Sequence, residues 1–217
     1  MNRKKRIVLI VTVIFLLIAA VGALVLALDN DEVEEEVFVS SFVYKTDFDP
    51  PSYVFYEPEY GINIFEDPDY QAVVPYIYYT LGSTTRCITN ENYSPYGEVV
   101  EFFGDYFDAL KEGDNEAFNS FHSERYFANN RKCEALAPQR LYNINIEYLF
   151  EKDMTDPDYG KVTKYVYKTS YMIMKNDGTF RSDIGSDASR ALYLELVEDA
   201  NGNIFVDACG DAYELPQ

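Results

Sequence analysis

The sequence predicts an α+β fold behind an N-terminal transmembrane helix. Three observations support this prediction: an uncharged apolar run at residues 7–28, one amphipathic helical segment that starts near residue 94, and four later segments in which apolar and polar residues alternate. A period of 3.6 residues indicates a helix with one apolar face, and a period of two indicates strands with one covered face. We therefore expect a long amphipathic helix packed on an antiparallel sheet.

The apolar run at residues 7–28 contains no charged side chain and is long enough to span a bilayer. A helix rises about 1.5 Å per residue, so this run crosses a hydrocarbon core that is roughly 30 Å thick. A cleaved signal peptide is the alternative, but its apolar region is shorter, about 7 to 15 residues. We therefore predict an uncleaved anchor, with the lipid bilayer as the partner of residues 7–28.

The charges on either side of this run predict its orientation. Residues 3–6 are all basic, whereas residues 29–36 contain six acidic side chains. Positive residues beside a membrane span remain on the cytoplasmic side. We therefore predict a single-pass protein of the cell membrane, with a cytoplasmic stub at residues 1–6 and an extracytoplasmic C-terminal portion.

The extracytoplasmic portion is strongly acidic. The whole chain has a formal net charge of −19, and residues 1–6 hold four of its 18 basic residues and none of its 37 acidic residues. Such a charge repels nucleic acid and anionic lipid headgroups, so we expect neither to bind this surface. It fits a solvated surface, cation binding or a basic partner. The apolar and aromatic content is too high for a disordered chain.

Composition divides the exported chain into three segments. Residues 29–51 are expected to form an acidic tether. Residues 52–93 are rich in β-branched and aromatic residues but contain three prolines, so we expect a β-rich extension of short edge strands. Three such strands are expected, at residues 53–56, 62–65 and 76–80. Residues 94–217 contain the long helix and the four alternating segments.

The long helix is expected to start at Ser94, a favourable N-cap, with Pro95 at the first helical position. Its apolar face consists of residues at helical spacing: Tyr96, Val99, Val100, Phe103, Phe107 and Leu110. Gly113 is expected to end this helix, and Asp114 is expected to cap a second, shorter helix. One helix cannot bury its aromatic face alone, so a sheet must cover it.

Four strands are expected to follow, at residues 141–151, 162–174, 191–197 and 204–209. In the first of them, strict alternation places Tyr142, Ile144 and Ile146 on one face. The Asn201-Gly202 pair predicts a tight hairpin between the last two strands. We therefore expect an antiparallel meander with one covered face.

Residues 103–118 read Phe-Gly-Asp-Tyr-Phe-Asp-Ala-Leu-Lys-Glu-Gly-Asp-Asn-Glu-Ala-Phe. This segment resembles the opening of nuclear-transport-factor-2-like domains, in which an aromatic helix ends at a Gly-Asp pair and a short helix follows. The resemblance covers about residues 94–213 and implies a cystatin-like α+β cone, with a curved sheet around the helix and a pocket at the wide end. The family includes isomerases, dehydratases and non-enzymatic binding or assembly modules, so the fold alone does not assign a function. The chain also resembles membrane-anchored proteins of Gram-positive bacteria, which implies a bacterial membrane but no activity.

The cysteines and the single histidine give no catalytic or metal assignment. Cys87, Cys133 and Cys209 lack zinc-site spacing, so no metal and no cofactor is expected. They allow one disulfide plus a free thiol, or three reduced thiols. Enzymes of the resembled family often use an Asp or an Asp–His pair inside the cone. His122, in contrast, follows Phe121 in the second helix, where we expect a surface or helix-end position.

The segment from residue 176 to residue 190 is the first candidate site, because it is longer than a tight turn requires. Arg181 and Arg190 are planar donors that could clamp a carboxylate or another anionic group on a partner. The alternative is that they pair with Asp183 and Asp187 to hold the loop.

Tyrosines on the sheet form the second candidate site. Five tyrosines could line an apolar cleft that holds a glycan or a lipid fragment: Tyr142, Tyr148, Tyr165, Tyr167 and Tyr171. The alternative is that these rings pack on Phe103 and Phe107 as part of the core.

Taken together, these features favour a non-enzymatic, membrane-anchored, extracytoplasmic module that binds a protein or an envelope component. The alternative is a small-molecule-binding or enzymatic cone domain that uses a buried carboxylate. Homodimerisation through the outer face of the sheet is compatible with both. An open cavity with a desolvated Asp or Glu would favour the enzyme, and a filled cone with an exposed apolar patch would favour the interaction module.

Overall fold

The computed structural model of the chain describes residues 64–73, 76–89 and 93–211. The predicted cytoplasmic stub, transmembrane helix and tether, which together span residues 1–51, lie outside the described residues, and so does the predicted strand at residues 53–56. Within the described ranges, no helix has the length and apolar character needed to cross a membrane.

The described residues form an α+β fold, which confirms the predicted class. The α-helices are α1 (Pro68–Gln71), α2 (Glu98–Glu112), α3 (Asn115–Ser120) and α4 (Glu124–Asn129). The strands are β1 (Ile77–Leu81), β2 (Thr84–Ile88), β3 (Leu141–Asp156), β4 (Gly160–Ile173), β5 (Leu192–Asp199) and β6 (Ile204–Gly210). Two short 3-10 helices cover Ile64–Glu66 and Ser94–Tyr96.

The six strands form one sheet in the order β2-β1-β3-β4-β5-β6. Strands β3 to β6 make an antiparallel meander, but the sheet as a whole is mixed, because β1 runs parallel to β3 with Ile77 opposite Ile144. The expectation of a purely antiparallel sheet is therefore wrong. A parallel pair needs a long crossover connection, and the helical segment between β2 and β3 supplies it. Two strands from the segment at residues 52–93 thus extend the same sheet.

Helix α2 begins later than predicted. It starts at Glu98, because Gly97 has a φ of 96° that interrupts the helical path after the 3-10 helix at Ser94–Tyr96. The predicted start at Ser94 is therefore wrong. At the other end, Gly113 is left-handed, with a φ of 76°, and closes α2 as predicted. The Asp114 side chain accepts a hydrogen bond from the Ala117 amide at 2.9 Å and caps α3.

The apolar face of α2 packs on β4 and makes the centre of the core. Phe103 meets Tyr167 edge to face with ring centroids 5.0 Å apart, and Phe107 meets Tyr171 at 5.8 Å. Phe103, Phe107 and Leu110 are completely buried. Aromatic burial of this extent is the dominant attraction between the helix and the sheet.

The strict alternation predicted for β3 fails at Asn143. Asn143 has a φ of 49°, and the pairing of β3 with β4 shifts register between Tyr142 and Asn145. This bulge places Leu141 with Ile144 in the core and leaves Tyr142 half-exposed. The expectation that Tyr142 shares the face of Ile144 is therefore wrong.

The prediction of a short strand at residues 62–65 is also wrong for Ile64 and Phe65, which are the two of these residues that the structure describes. Ile64–Glu66 is a 3-10 helix, and the Asp67 side chain accepts a hydrogen bond from the Asp69 amide at 3.0 Å. Pro68 occupies the first turn of α1. An N-cap followed by proline starts a helix, which ends any extended segment before it.

Candidate functional site

A cleft of about 440 Å³ lies where the start of α2 meets strands β1, β3, β4 and β5. This volume falls within the range of about 300 to 1,000 Å³ that is typical of small-molecule sites. Five of its eleven lining residues are tyrosines: Tyr79, Tyr96, Tyr148, Tyr165 and Tyr167. Three carboxylates also line it: Glu98, Glu151 and Glu198.

The tyrosine rings form two edge-to-face pairs. The ring centroids of Tyr79 and Tyr96 lie 6.1 Å apart at an interplanar angle of 65°, and those of Tyr148 and Tyr167 lie 5.6 Å apart at 73°. This is the geometry that aromatic quadrupoles prefer. Both pairs line the cleft, and neither is a flat stack.

Three of the five tyrosines that the sequence singled out line this cleft, whereas Tyr142 does not and Tyr171 packs on Phe107 in the core. Tyr167 is 3% exposed and also packs on Phe103, so it belongs to the core as well as to the cleft. Tyr148 and Tyr165 are half-buried along the wall. Sequence reasoning missed Tyr79 and Tyr96 as partners, because their position depends on β1 pairing with β3, for which the sequence carries no local signal.

Hydroxyl groups and carboxylates meet in the cleft. The Tyr165 hydroxyl donates a hydrogen bond to Glu198 Oε2 at 2.7 Å. Burial is the largest cause that raises the pKa of Tyr165, and this hydrogen bond is the next largest. Burial and the charge of Glu151 raise the pKa of Tyr148. Both tyrosines therefore remain protonated donors at physiological pH, while the glutamates supply the negative charge.

The cleft has a strong charge asymmetry. Among the described residues that line it, none is Lys, Arg or His. Its carboxylates belong to a chain with a formal net charge of −19. A concave site with charges of one sign focuses the local potential, so the cleft attracts cations and repels anions.

The candidate arginine in the long loop is buried. Arg181 is 1% exposed, and its Nε donates to Asp183 Oδ1 at 2.9 Å while its Nη1 donates to the Tyr171 hydroxyl at 3.3 Å. The Arg181 guanidinium holds the pKa of Asp183 below its usual value, against the opposing effect of burial. These contacts hold the loop onto the core, where Phe180 is also completely buried.

The other loop residues lie nearer the surface. Arg190 donates to Asp183 Oδ2 at 3.3 Å and to Asp211 Oδ2 at 2.9 Å. Asp187, which was expected to pair with an arginine, accepts a hydrogen bond from the Tyr142 hydroxyl at 2.9 Å. The structure therefore brings Arg181, Arg190 and Asp183 together and places Asp187 beside β3.

A buried ion pair lies on the face of the sheet that points away from α2. Lys164 Nζ donates to Glu195 Oε1 at 2.9 Å, and the two residues are only 3% and 1% exposed. Each strand alternates, so Lys164 and Glu195 point away from the core residues beside them, such as Tyr165 and Leu194. Burial raises the pKa of Glu195, although Lys164 opposes this shift. Sequence reasoning missed this pair.

Further charges surround the buried pair. Lys164 Nζ also lies 3.8 Å from Asp156 Oδ2. Asp156 in turn accepts a hydrogen bond from Arg125 Nη2 at 2.9 Å, and Arg125 Nε lies 3.3 Å from Asp207 Oδ2. Within the part of the chain that the structure describes, Glu195 Oε2 has no hydrogen-bond partner.

His122 is buried at the end of α3, so of the two expected positions the helix end is confirmed and the surface is wrong. It lies just after α3 with 6% of its surface exposed, and its Nδ1 is 2.7 Å from the Phe118 carbonyl oxygen. Burial lowers the pKa of His122 to about 4. The ring is therefore neutral at physiological pH and donates its Nδ1 proton to that carbonyl.

All three cysteines are free thiols, so the structure selects the reduced alternative. Cys87 is exposed, whereas Cys133 and Cys209 are buried. Burial raises the pKa of Cys133 to about 12 and that of Cys209 to about 11. Across the described ranges, no group of three or more His, Cys, Asp or Glu residues is arranged to hold a metal ion.

No protein-family model matches the chain, and neither the curated proteins nor the solved structures contain a match to it.

Proposed function

We propose that this chain is a membrane-anchored, extracytoplasmic, non-enzymatic module that binds an envelope component in the tyrosine-lined cleft. The observation that carries this proposal is the cleft itself, because it combines five tyrosines with three carboxylates in a space of small-molecule size. Concave aromatic sites with a few polar groups are the usual form of ligand pockets.

The sequence before the domain supports the anchoring. Residues 7–28 have the length and apolar character of a membrane span, and the basic residues before them favour a cytoplasmic N-terminus. A tether at residues 29–51 would hold the domain close to the bilayer. Tethering raises the effective concentration of a binding site toward ligands at the same surface.

The resemblance to nuclear-transport-factor-2-like domains also supports a ligand site at this place. Cone domains of this family have their pocket between the long helix and the sheet. In this chain α2 packs on β4, and the cleft lies at the amino-terminal end of α2. We therefore propose that the cleft is the open end of such a cone.

The alternative, a small-molecule-binding or enzymatic cone domain that uses a buried carboxylate, shares the small-molecule cleft with this proposal, and its enzymatic form finds support in Glu195, whose pKa is raised by burial. A perturbed carboxyl group in a cleft is a sign of a catalytic site. Glu195, however, is paired with Lys164 on the other face of the sheet and is not among the residues that line the cleft. We therefore prefer the binding function.

The proposed orientation is tested by labelling Cys87 in intact cells. We expect a membrane-impermeant maleimide to modify Cys87, because this thiol is exposed and would lie outside the cytoplasm. Cys133 and Cys209 are buried, so they should react only after denaturation. The Cys87→Ser variant is the control for site specificity. Labelling of Cys87 only after the cells are permeabilised would contradict the proposed topology.

The proposed binding site is tested by filling it. Val99 lines the cleft, so Val99→Trp should reduce the retention of the detergent-solubilised chain on native envelope fragments by at least about tenfold, a loss of roughly 1.4 kcal/mol. Ala128→Trp places the same side chain on an exposed position of α4 and should bind as the native chain does. Co-sedimentation measures the retention. Equal retention of both variants would show that the cleft is not the binding site.

A further inference from the structure

We infer that the cleft takes a small organic cation, a molecule that carries an alkylated or primary ammonium group. The inference rests on the proposed function, because it names the class of ligand for the same cleft.

The aromatic walls suit an ammonium group. A cation is attracted to the face of an aromatic ring when it lies within about 6 Å of the ring centroid, and several rings around one cation add their contributions. The edge-to-face pairs Tyr79–Tyr96 and Tyr148–Tyr167 both line this one cleft. This is how adjoining rings can bind one positive charge together.

The carboxylates decide between a cation and the glycan or lipid fragment that the tyrosines alone would allow. An apolar lipid fragment that closed the cleft would remove hydration from Glu98, Glu151 and Glu198 and would offer no hydrogen-bond donor to offset the loss. The hydroxyl groups of a glycan can donate hydrogen bonds to these carboxylates, but they leave the negative charge unneutralised and so offset only part of the loss. A cation compensates for it by direct attraction. An anion is disfavoured by the same charges, because no described residue that lines the cleft is basic.

The hydrogen bond from Tyr165 to Glu198 places one carboxylate against the wall. The bond fixes Glu198 Oε2 at 2.7 Å from the Tyr165 hydroxyl and leaves the charge of the carboxylate in the cleft. Tyrosine and glutamate thus act on the same ligand group, the ring through its quadrupole and the carboxylate through its charge.

The size of the cleft favours a small molecule. Its volume of about 440 Å³ is near the lower end of the range for small-molecule pockets. We therefore commit to a free organic cation and treat a basic peptide as a competing outcome of the test.

The test compares choline chloride with 3,3-dimethylbutan-1-ol, an uncharged molecule of the same shape, on the full-length chain in a neutral detergent. We expect isothermal titration calorimetry to show at least tenfold tighter binding of choline. We also expect this preference to fall as salt rises, because ions screen the attraction of the carboxylates. A basic peptide is titrated in parallel.

The matched variants separate the local charge from the overall charge. Glu151→Gln and Glu198→Gln should together weaken choline binding at least tenfold, and Glu198→Gln keeps an acceptor for Tyr165. Glu112→Gln removes the same charge from the exposed far end of α2 and should change the affinity less than twofold.

Three results would overturn the inference. The first is equal binding of choline and its uncharged analogue, which would leave an apolar binding cleft and the proposed function intact. The second is binding of the basic peptide without binding of choline, which would also leave a binding module. The third is no binding of any of these probes. The proposed function fails separately, when Val99→Trp leaves the retention on envelope fragments unchanged.

Discussion

Replacing Lys164 by methionine should lower the free energy of unfolding by about 3 to 5 kcal/mol. Lys164 donates to Glu195 at 2.9 Å and both side chains are buried, so the variant leaves a carboxylate without its counter-charge. The loss should diminish as pH falls. Burial already raises the pKa of Glu195, and without Lys164 the pKa should rise further. A carboxyl group whose pKa is higher in the folded chain than in the unfolded chain destabilises the fold while it is ionised. This destabilisation disappears as the pH falls below the folded pKa, because the group is then neutral in both states.

A double variant tests whether the ion pair itself stabilises the fold. Lys164→Met with Glu195→Leu removes both charges and keeps similar volumes, so it should regain most of the stability and could exceed the native chain. Chemical denaturation followed by tyrosine fluorescence measures the native chain, each of the two single variants and the double variant, since the protein contains 20 tyrosines and no tryptophan. A double variant as unstable as the sum of the single variants would show that the two residues act independently.

Acidification from pH 6.5 to pH 4 should cost the native chain about 3 kcal/mol of stability through His122 alone. Burial lowers the pKa of His122 from 6.5 to about 4, and each unit of pKa difference corresponds to about 1.4 kcal/mol. Between pH 6.5 and pH 4 the His122 ring is protonated in the unfolded chain but neutral in the folded chain. The stabilisation is therefore complete above the unfolded pKa and is lost as pH falls toward the folded pKa.

The control for this prediction is His122→Phe, which keeps an aromatic ring beside Phe118 and Tyr126 but removes the titrating group. Its free energy of unfolding should vary less with pH than that of the native chain, and the difference between the two profiles isolates the histidine. Carboxylates with lowered pKa values, such as Asp183, contribute equally to both chains. Parallel profiles would show that His122 does not titrate between the folded and unfolded states.

Local chemistry made the helices and the meander predictable. Gly113 supplied a left-handed C-cap and Asp114 an N-cap, and both signals depend only on neighbouring residues. The turn at Asn201-Gly202 joins β5 to β6 for the same reason. The start of α2 was not predicted correctly. The helix begins at Glu98 rather than at Ser94, because the backbone conformation of Gly97 interrupts the helical path after Ser94.

Long-range pairing was not predictable from local patterns. The parallel contact of β1 with β3 joins segments about 65 residues apart, Ile77 and Ile144 among them, and it alone brings Tyr79 into the cleft. The bulge at Asn143 reversed the alternation at Tyr142, because one extra residue moves side chains to the opposite face of a strand. Such choices depend on packing between distant segments, which no single stretch of sequence contains.

The sequence by itself determined the fold class, the amphipathic helix, the meander and the acidic character of the chain, because these follow from periodicity, capping and charge. Only the tertiary structure decided which polar residues are exposed. It buried Arg181, His122 and Lys164 and left Tyr148 and Tyr165 lining an open cleft. The reason is that burial depends on what packs across the sheet, whereas alternation shows only which residues share a face.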